Sequence, residues 1–374
     1  MEDILILEGA RTPFAIWSGG VRADEQKGGA LKPFDPFDLG AAALKEAMKR
    51  SGLAPDKLDK VVFANTYHVG PHACYGARYV GLRAGLPAHI PNLTVNLACG
   101  SGLQSIISAA GTIALGEGSL VAAVGGDSSS NIARNVFIPS FKDASCDQHI
   151  AFTSQEMARE SGISRAEQDR WSKISHARAV AARKKGYLAE EIIPIGELTQ
   201  DDGIRDNADD AYFAASKMLF ETGEATAANT HGVTDGGSAV IMASASAAGG
   251  LAPIGRYITG AVVGVPPAKM ARASVVAVQK ALAQAKLSLS DIDLFELNET
   301  FASQLLIDLK ETGLPEEKVN VNGGAIAIGH PWGGTGPRLV FTLLKELKRR
   351  GLKRGVAAIC VGAGSGIAVV VETV

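Results

Sequence analysis

The chain has 374 residues, 46% hydrophobic and 20% charged, with a formal net charge of −2 at pH 7. That length exceeds one compact core and predicts two domains, or one with an insertion. With no basic stripe and no acidic tail, the charge argues against nucleic acid or an anionic membrane surface as partner, while leaving room for a few local Lys or Arg side chains to hold an anionic cofactor.

Taken in order, the predicted elements alternate. Residues 4–10 (ILILEGA) read as a buried strand, and residues 38–53 as an amphipathic helix capped by Asp38 and ended by Gly52. A strand over 59–67, a helix over 74–84, a strand over 93–98, a helix from Gly100 and a strand over 119–127 complete a β-α-β-α-β pattern of a sheet with helices against it. The stretch 128–150 is polar and aperiodic and reads as loop. Ser164-x-x-Glu167 is a capping box opening a long helix that stops at Gly186. Residues 201–228 read as irregular, and strand character returns at 238–244. From Arg256 the alternation repeats: strand 257–265, helix 270–287, strand 292–298, helix 301–314, strand and turn 318–329, helix 337–351, and a hairpin-like pair over 355–372. The second half echoes the first in element order, which predicts two like α/β halves. The 43 glycines punctuate apolar runs and read as tight turns.

Four cysteines, Cys74, Cys99, Cys146 and Cys360, lie far apart and form no CxxC or Cys/His metal pattern, so no metal is expected. Scattered cysteines suit a reducing compartment. The N-terminal residues MEDILILEGARTPF show no basic start or apolar signal core, and no run approaches the ~20 apolar residues needed to span a bilayer. The expectation is a soluble, cytoplasmic protein.

Chemistry concentrates in four places. Cys99 stands between a strand-like run and the small residues Gly100-Ser101-Gly102, with Leu103, Ile106, Ile107 and Ala110 at helical spacing after it. A free thiol has a pKa near ~8.5, and a helix N-terminus lowers it. A lone cysteine before a helix is also an ordinary core residue, so Cys99 alone decides nothing. His330 stands between Gly329 and Pro331 in a turn that projects its side chain; a pocket histidine and a packed one are equally compatible. Asn298 and Glu299 end a buried-looking strand, where they read most simply as caps of the helix near Phe301. Cys360 ends an apolar strand with Gly362 two residues on. The nearby GAGSG lacks the following helix and acidic ribose partner of a dinucleotide loop. Two cysteines, a histidine and an asparagine at strand ends or glycine-flanked turns are the parts of a thiolate nucleophile, base and oxyanion site.

These segments resemble the thiolases over nearly the whole chain. NLACGSGLQ is similar to the family's NxxCxSG, LNETFASQ to NEAFA with Thr300 in place of alanine, GGAIAIGHPWGGTG to GGAIALGHPxGxSG, and CVGAGSG to the CxG end motif. NTHGVTDGGSAVIMAS, GVPPAKM and ISRAEQDRWSKISHARA resemble further family segments. The resemblance implies a five-layered αβαβα fold of two like halves with an inserted loop domain. The divisions are an N-terminal half at 1–127, the loop domain at 128–232, a return to the first half at 233–254 and a C-terminal half at 255–374. It implies Cys99 as acyl-accepting nucleophile, His330 as its base and Cys360 as acid/base at the α-carbon. Asn298 would hold a water for one oxyanion hole, and the N–H groups of Cys99 and Gly362 would form the other. Acyl-CoA and free CoA are the implied substrates, with no tightly bound cofactor.

Several departures from the family pattern bear on specificity. GGDSSSN stands where a GGMExMS segment near the acyl pocket is usual. Residues 128–149 are short in the region of the tetramerisation loop, so a homodimer is expected. His231 replaces a serine near the pantetheine, His149 matches a histidine of short-chain members, and Trp332 narrows the site beside His330 or simply packs. Lys142, Arg183, Lys184 and Lys217 are candidates for the CoA phosphates. Two other readings compete with a thiolase: a decarboxylating β-ketoacyl synthase, which lacks the second catalytic cysteine, and an inactive acyl-CoA-binding protein, which would be expected to lose one of the four site residues. A cysteine hydrolase would want an acidic partner for His330, and none is near in sequence.

Overall fold

The structure, a computed structural model, describes residues 2–17 and 28–374. Strands β1 (Ile4–Arg11), β2 (Lys60–Ala64), β3 (Asn92–Val95), β4 (Leu120–Asp127) and β5 (Thr234–Ser244) form one half-sheet in the order β3-β2-β4-β5-β1. Strands β6 (Gly255–Gly264), β7 (Leu294–Leu297), β8 (Arg354–Val361) and β9 (Ser365–Glu372) form the second in the order β7-β8-β9-β6. In both halves the first pairings are parallel and the rest antiparallel. The halves join where Ile4, Leu5 and Ile6 pair with Tyr257, Arg256 and Gly255.

Side chains alternate across a strand, and this alternation sets the layers. The principal helices are α1 (Pro36–Arg50), α2 (Gly76–Arg83), α3 (Ser101–Ala114), α4 (Ile150–Glu160), α5 (Arg165–Lys184), α6 (Ala273–Ala285), α7 (Ala302–Thr312) and α8 (Thr335–Arg350). From the first half-sheet Val62, Val121 and Val240 pack with Leu103 and Ile106 of α3 and Phe341 of α8, and Ile359, Ile367 and Val369 of the second close on the same helices. The alternate residues Val61, Phe63 and Val124 meet Leu44 of α1 and Val80 of α2. Phe295, Val356 and Val370 meet Val278 of α6 and Leu305 of α7. The result is helix, sheet, helix, sheet, helix: five layers, with α3 and α8 at the centre.

Those two helices meet at glycines. A Cβ on Gly102 would lie 2.5 Å from the Gly336 N, and one on Gly336 would lie 2.0 Å from the Leu103 N. Both contacts are to backbone, so no side-chain rotation relieves them. The crossing lies in the first turn of each helix and brings their N-termini together.

Three expectations change. The cap of α1 is Asp35, whose Oδ1 accepts from the N–H of Phe37 at 2.9 Å and of Asp38 at 2.8 Å; Asp38 reciprocates as the third residue of a capping box, and Pro36 fits the first turn. The region read as loop contains the start of α4, capped by His149 Nδ1, which accepts from the N–H of Ala151 at 3.1 Å. The strand expected near 318 is reduced to a single bridge, Val319 to Phe295. There Asn320 turns left-handed (φ 47°), and its side chain takes the place of a strand, bonding the N–H and C=O of Leu297 at 2.9 and 2.8 Å.

Gly102→Ala and Gly336→Ala should each destabilise the chain by about 3 kcal/mol, the upper end of overpacking effects, read as an earlier denaturation midpoint. An unchanged midpoint would show that the helices can separate without loss.

Candidate active site

Cys99 is carried on a strained turn at the mouth of α3. Ala98 before it has φ 42°, a left-handed conformation that costs about 1–3 kcal/mol for a residue with a Cβ. Hydrogen bonds hold it there: Ala98 N–H to Asn96 Oδ1 at 2.8 Å, and the Ala98 carbonyl accepting from Thr66 at 2.9 Å and Ser101 at 2.7 Å. The thiol is buried at 7% exposure, and its sulfur is approached by the N–H of Gly362 and by its own N–H. Burial dominates those donors and pushes the thiol up to about 12, so the helix N-terminus does not by itself yield a thiolate.

His330 leaves the second glycine-rich turn just before α8. It is fully buried, its Nδ1 lies 2.6 Å from Thr335 Oγ1, and its Nε2 has no partner. Burial, with His231 adding to it, holds the imidazole well below its usual pKa, so it is neutral. Trp332, left-handed at φ 34°, packs edge-on against Tyr67 at 5.1 Å and Phe137 at 5.6 Å. Asp127 ties the turns of Cys99 and His330 together. Its buried carboxyl accepts from Asn65 Nδ2, from the N–H groups of Thr66 and Tyr67, and from the N–H of Gly333 at 2.9 Å; burial raises it to about 7.

Cys360 ends β8 and faces away from the central helices. The turn that follows has Ala363 (φ 60°) and Gly364 (φ 73°) left-handed, which aims the Gly362 N–H back at Cys99. Cys360 is fully buried and its thiol is pushed up by that burial; Cys99 is close enough to add to the effect. Asn298, 1% exposed, does not cap α7: its Nδ2 donates to Thr300 Oγ1 at 3.1 Å and its Oδ1 is unpartnered. Glu299 is not a cap either. It accepts from Trp171 Nε1, Ser175 Oγ, Asn320 Nδ2 and the N–H of Ile326 at 2.7–3.1 Å, fastening α5 beneath the site.

A cleft of 440 Å³ lies beside this core, lined among others by Phe141, His149, Arg205, Tyr212, His231 and Phe301; Cys99, Asn298, His330 and Cys360 do not line it, and His231 is the lining residue whose ring meets His330. His231 Nδ1 contacts the Thr300 carbonyl at 2.7 Å, so Nδ1 carries the proton and the unpartnered Nε2 is an acceptor. Its ring stands edge-on to His330 at 5.1 Å. His149 stacks on Phe141. Trp332 lies behind the cleft and does not line it. None of Lys142, Arg183, Lys184 and Lys217 lines it, and Lys142 and Arg183 pair with Asp147 and Asp206. The cation that does is Arg205, set over the Tyr212 ring at 5.3 Å. A larger groove of 570 Å³ beside Ile107 and Tyr257 is lined by none of the candidate residues. Among the described residues no group of three or more His, Cys, Asp or Glu is placed to hold a metal ion, and no helix is long and apolar enough to cross a membrane.

Sequence reasoning found the two cysteines, His330, Asn298 and Gly362, and the structure gathers them from four segments. It missed Asp127, Thr300 as a contact of both Asn298 and Cys360, and Arg205. Of these only Thr300 left a signal, as the departure inside LNETFASQ.

Two thiols, a neutral imidazole and converging backbone N–H groups in a buried site are groups suited to acyl transfer. Comparison with known proteins makes the class specific. Sequence profiles described as Thiolase, N-terminal domain and Thiolase, C-terminal domain match residues 4–246 and 251–373. The chain is 35% identical to an acetyl-CoA acetyltransferase of Cupriavidus necator and 37% identical to a 3-ketoacyl-CoA thiolase of Bacillus subtilis, each alignment covering 100% of both chains. Among solved structures, human mitochondrial 3-ketoacyl-CoA thiolase superposes with a TM-score of 0.94 at 34% identity, covering 100% of this chain and 99% of that one. The same human enzyme in complex with CoA gives 0.93 at 35%, covering 100% and 98%. The chain belongs to the thiolase family.

Burial lowers His176, beside the cleft, to about 4. The unfolded chain therefore binds a proton below pH ~6.5 that the folded chain refuses, and stability falls between pH 6.5 and 4. The stability gap between the parent and His176→Gln should narrow across that range by up to about 1.4 kcal/mol per pH unit. Urea titrations at pH 7, 6, 5 and 4.5 measure it; a constant gap would refute the assignment.

Proposed function

We propose that the protein cleaves a 3-ketoacyl-CoA with CoA, and in reverse condenses two acetyl-CoA molecules, through an acyl group on Cys99. The observation that carries this reading is the convergence of Cys99, His330, Asn298 and Cys360 on one buried site, with His330 Nε2 and Asn298 Oδ1 left without protein partners. The CoA complex of the human relative supports the substrate class.

In this mechanism Cys99 Sγ attacks the keto carbon while its proton passes to His330 Nε2. That nitrogen is free as an acceptor when Nδ1 donates to Thr335. The alkoxide is held by the N–H groups of Cys99 and Gly362. Breaking the carbon–carbon bond leaves the acyl group on sulfur and the electron pair in an acetyl-CoA enolate. The enolate oxygen accepts from protonated His330 and from a water held by Asn298 Oδ1. Cys360 S–H then gives its proton to the α-carbon. In the second half, CoA loses its thiol proton to the Cys360 thiolate and attacks the acyl group, and Cys99 leaves with the proton of His330. Two half-reactions sharing one acyl-enzyme give ping-pong kinetics. His231 Nε2 is an acceptor for a pantetheine amide, His149 borders the same channel, and Arg205 with Tyr212 stands at its mouth for the nucleotide.

Tyr67, Phe137 and Trp332 pack around one another beside the Cys99 turn, which favours a short acyl group. Acetoacetyl-CoA should therefore be cleaved faster than a 3-ketooctanoyl thioester; the reverse order would overturn this preference. Cys99→Ala and Cys360→Ala should each lower cleavage by at least about 1,000-fold, the scale of losing a nucleophile or an acid in this chemistry. A folded Cys99→Ala protein that still cleaves would eliminate the covalent route.

We also place the protein in the cytoplasm as a homodimer. Free cysteines at positions 74, 99, 146 and 360 support a reducing compartment. The edge strand β3 has one neighbour and shows Leu93 at 43% exposure, which supports pairing with a second copy. Light scattering should give the mass of two chains; one or four would refute it.

A further inference from the structure

Thr300 occupies a position between two residues of the site. It is 1% exposed, and its Oγ1 lies 3.1 Å from Asn298 Nδ2 and 3.4 Å from Cys360 Sγ. Its backbone is pinned from both sides: its N–H donates to Gln304 Oε1 at 3.2 Å, and its carbonyl accepts from the N–H of His231 at 3.2 Å and from His231 Nδ1. Gln304 is held in turn by Asp308, whose carboxyl also accepts from Ser274 at 2.8 Å on each oxygen. Thr300, Gln304 and Asp308 are spaced four apart, along one face of α7 and its approach.

We propose that Thr300 is a positioning residue for the carbon–carbon bond step, setting the Asn298 amide and steadying the charge that forms on Cys360. This rests on the thiolase reading above. The hydroxyl holds Nδ2 of Asn298 as a donor, so Oδ1 is the atom presented to the site. The family pattern has alanine here and so lacks this contact; in this chain Oγ1 is the partner of the amide among the described residues, and its removal frees the NH2 group to turn toward the substrate. At rest Oγ1 accepts from both Asn298 Nδ2 and the Cys360 S–H, so its own hydrogen is committed to neither. When Cys360 protonates the α-carbon, its S–H bond breaks, a C–H bond forms and the electron pair stays on sulfur. One rotation about the Thr300 C–O bond then brings the O–H to that thiolate, and Thr300 keeps its proton throughout. Hydrogen bonds to a charged acceptor in a dry site are worth more than neutral ones.

Two reactions of the whole enzyme separate this role from a structural one. Thiolysis of acetoacetyl-CoA needs the carbon–carbon step, whereas acetylation of Cys99 by p-nitrophenyl acetate, whose leaving group departs as an anion and takes no proton from Cys360, needs Cys99, His330 and the Cys99/Gly362 N–H groups alone. In Thr300→Ala, thiolysis kcat should fall roughly 10- to 100-fold, as should solvent deuterium uptake at the acetyl-CoA methyl group, with nitrophenolate release on acetylation of Cys99 falling less than about threefold. Thr300→Ser, which keeps the hydroxyl, should recover most of the loss. Unchanged thiolysis, a parallel fall in both reactions, or a Ser variant as slow as the Ala one would overturn the proposal. If Thr300→Ala does not fold, Thr300→Val keeps the shape without the hydroxyl and is read the same way. A parent enzyme that is acetylated at Cys99 but never cleaves acetoacetyl-CoA would instead remove the thiolase reading itself, a different result from any of these.

Discussion

A close backbone approach that positions the site is the crossing of the two central helices at Gly102 and Gly336. Each helix belongs to a different half of the molecule, and each is preceded by a turn carrying one reacting side chain. With no Cβ at either glycine, the first turns touch, and Cys99 and His330 are delivered to the same point from opposite halves. Asp127 then straps the turns together through Tyr67 and Gly333, and Glu299 fastens the long helix α5 underneath. Any residue larger than glycine at the crossing would push the turns of Cys99 and His330 apart.

The second organising fact is dryness. Two thiols, two imidazoles and an amide are withdrawn from water with few partners, and withdrawal disfavours charge on every one of them. The resting site is therefore neutral: thiols protonated, imidazoles unprotonated. The expectation of a thiolate drawn out by a helix N-terminus gives way to a protonated thiol at rest, the state from which the proposed mechanism starts. The backbone N–H groups at Cys99 and Gly362 are fixed by a strained turn and a tight hairpin, so they are in place before charge develops.

Much of this was legible in the sequence because its signals are local. Small residues around Cys99, His330 and Gly362 mark tight turns, and apolar runs mark strands, so the candidate site residues and the repeated order of elements could be read directly. What escaped depends on contacts distant in sequence or on side chains acting as backbone. Asn320 impersonates a strand, which no periodicity reveals. His149 caps a helix with an imidazole nitrogen in a stretch whose polarity resembles loop. Glu299, read as a cap, is instead a buried acceptor for groups from three other segments. Arg205 lies in a weakly patterned region, whereas of the basic residues singled out none lines the cleft and Lys142 and Arg183 are spent on neighbouring carboxylates.

The pairing of β1 has a consequence for how the molecule is made. Its partners are Ser244 and its neighbours on one side and Tyr257 and its neighbours on the other, so ILIL leaves the ribosome early and finds no edge to join until some 240 residues later. During that interval an apolar strand with two open edges is exposed, the kind of segment that chaperones bind and that other chains capture. Completion of β5 and β6 ends the wait by closing the first half-sheet and sewing it to the second in one event. Biogenesis, more than equilibrium stability, is where this architecture is most vulnerable.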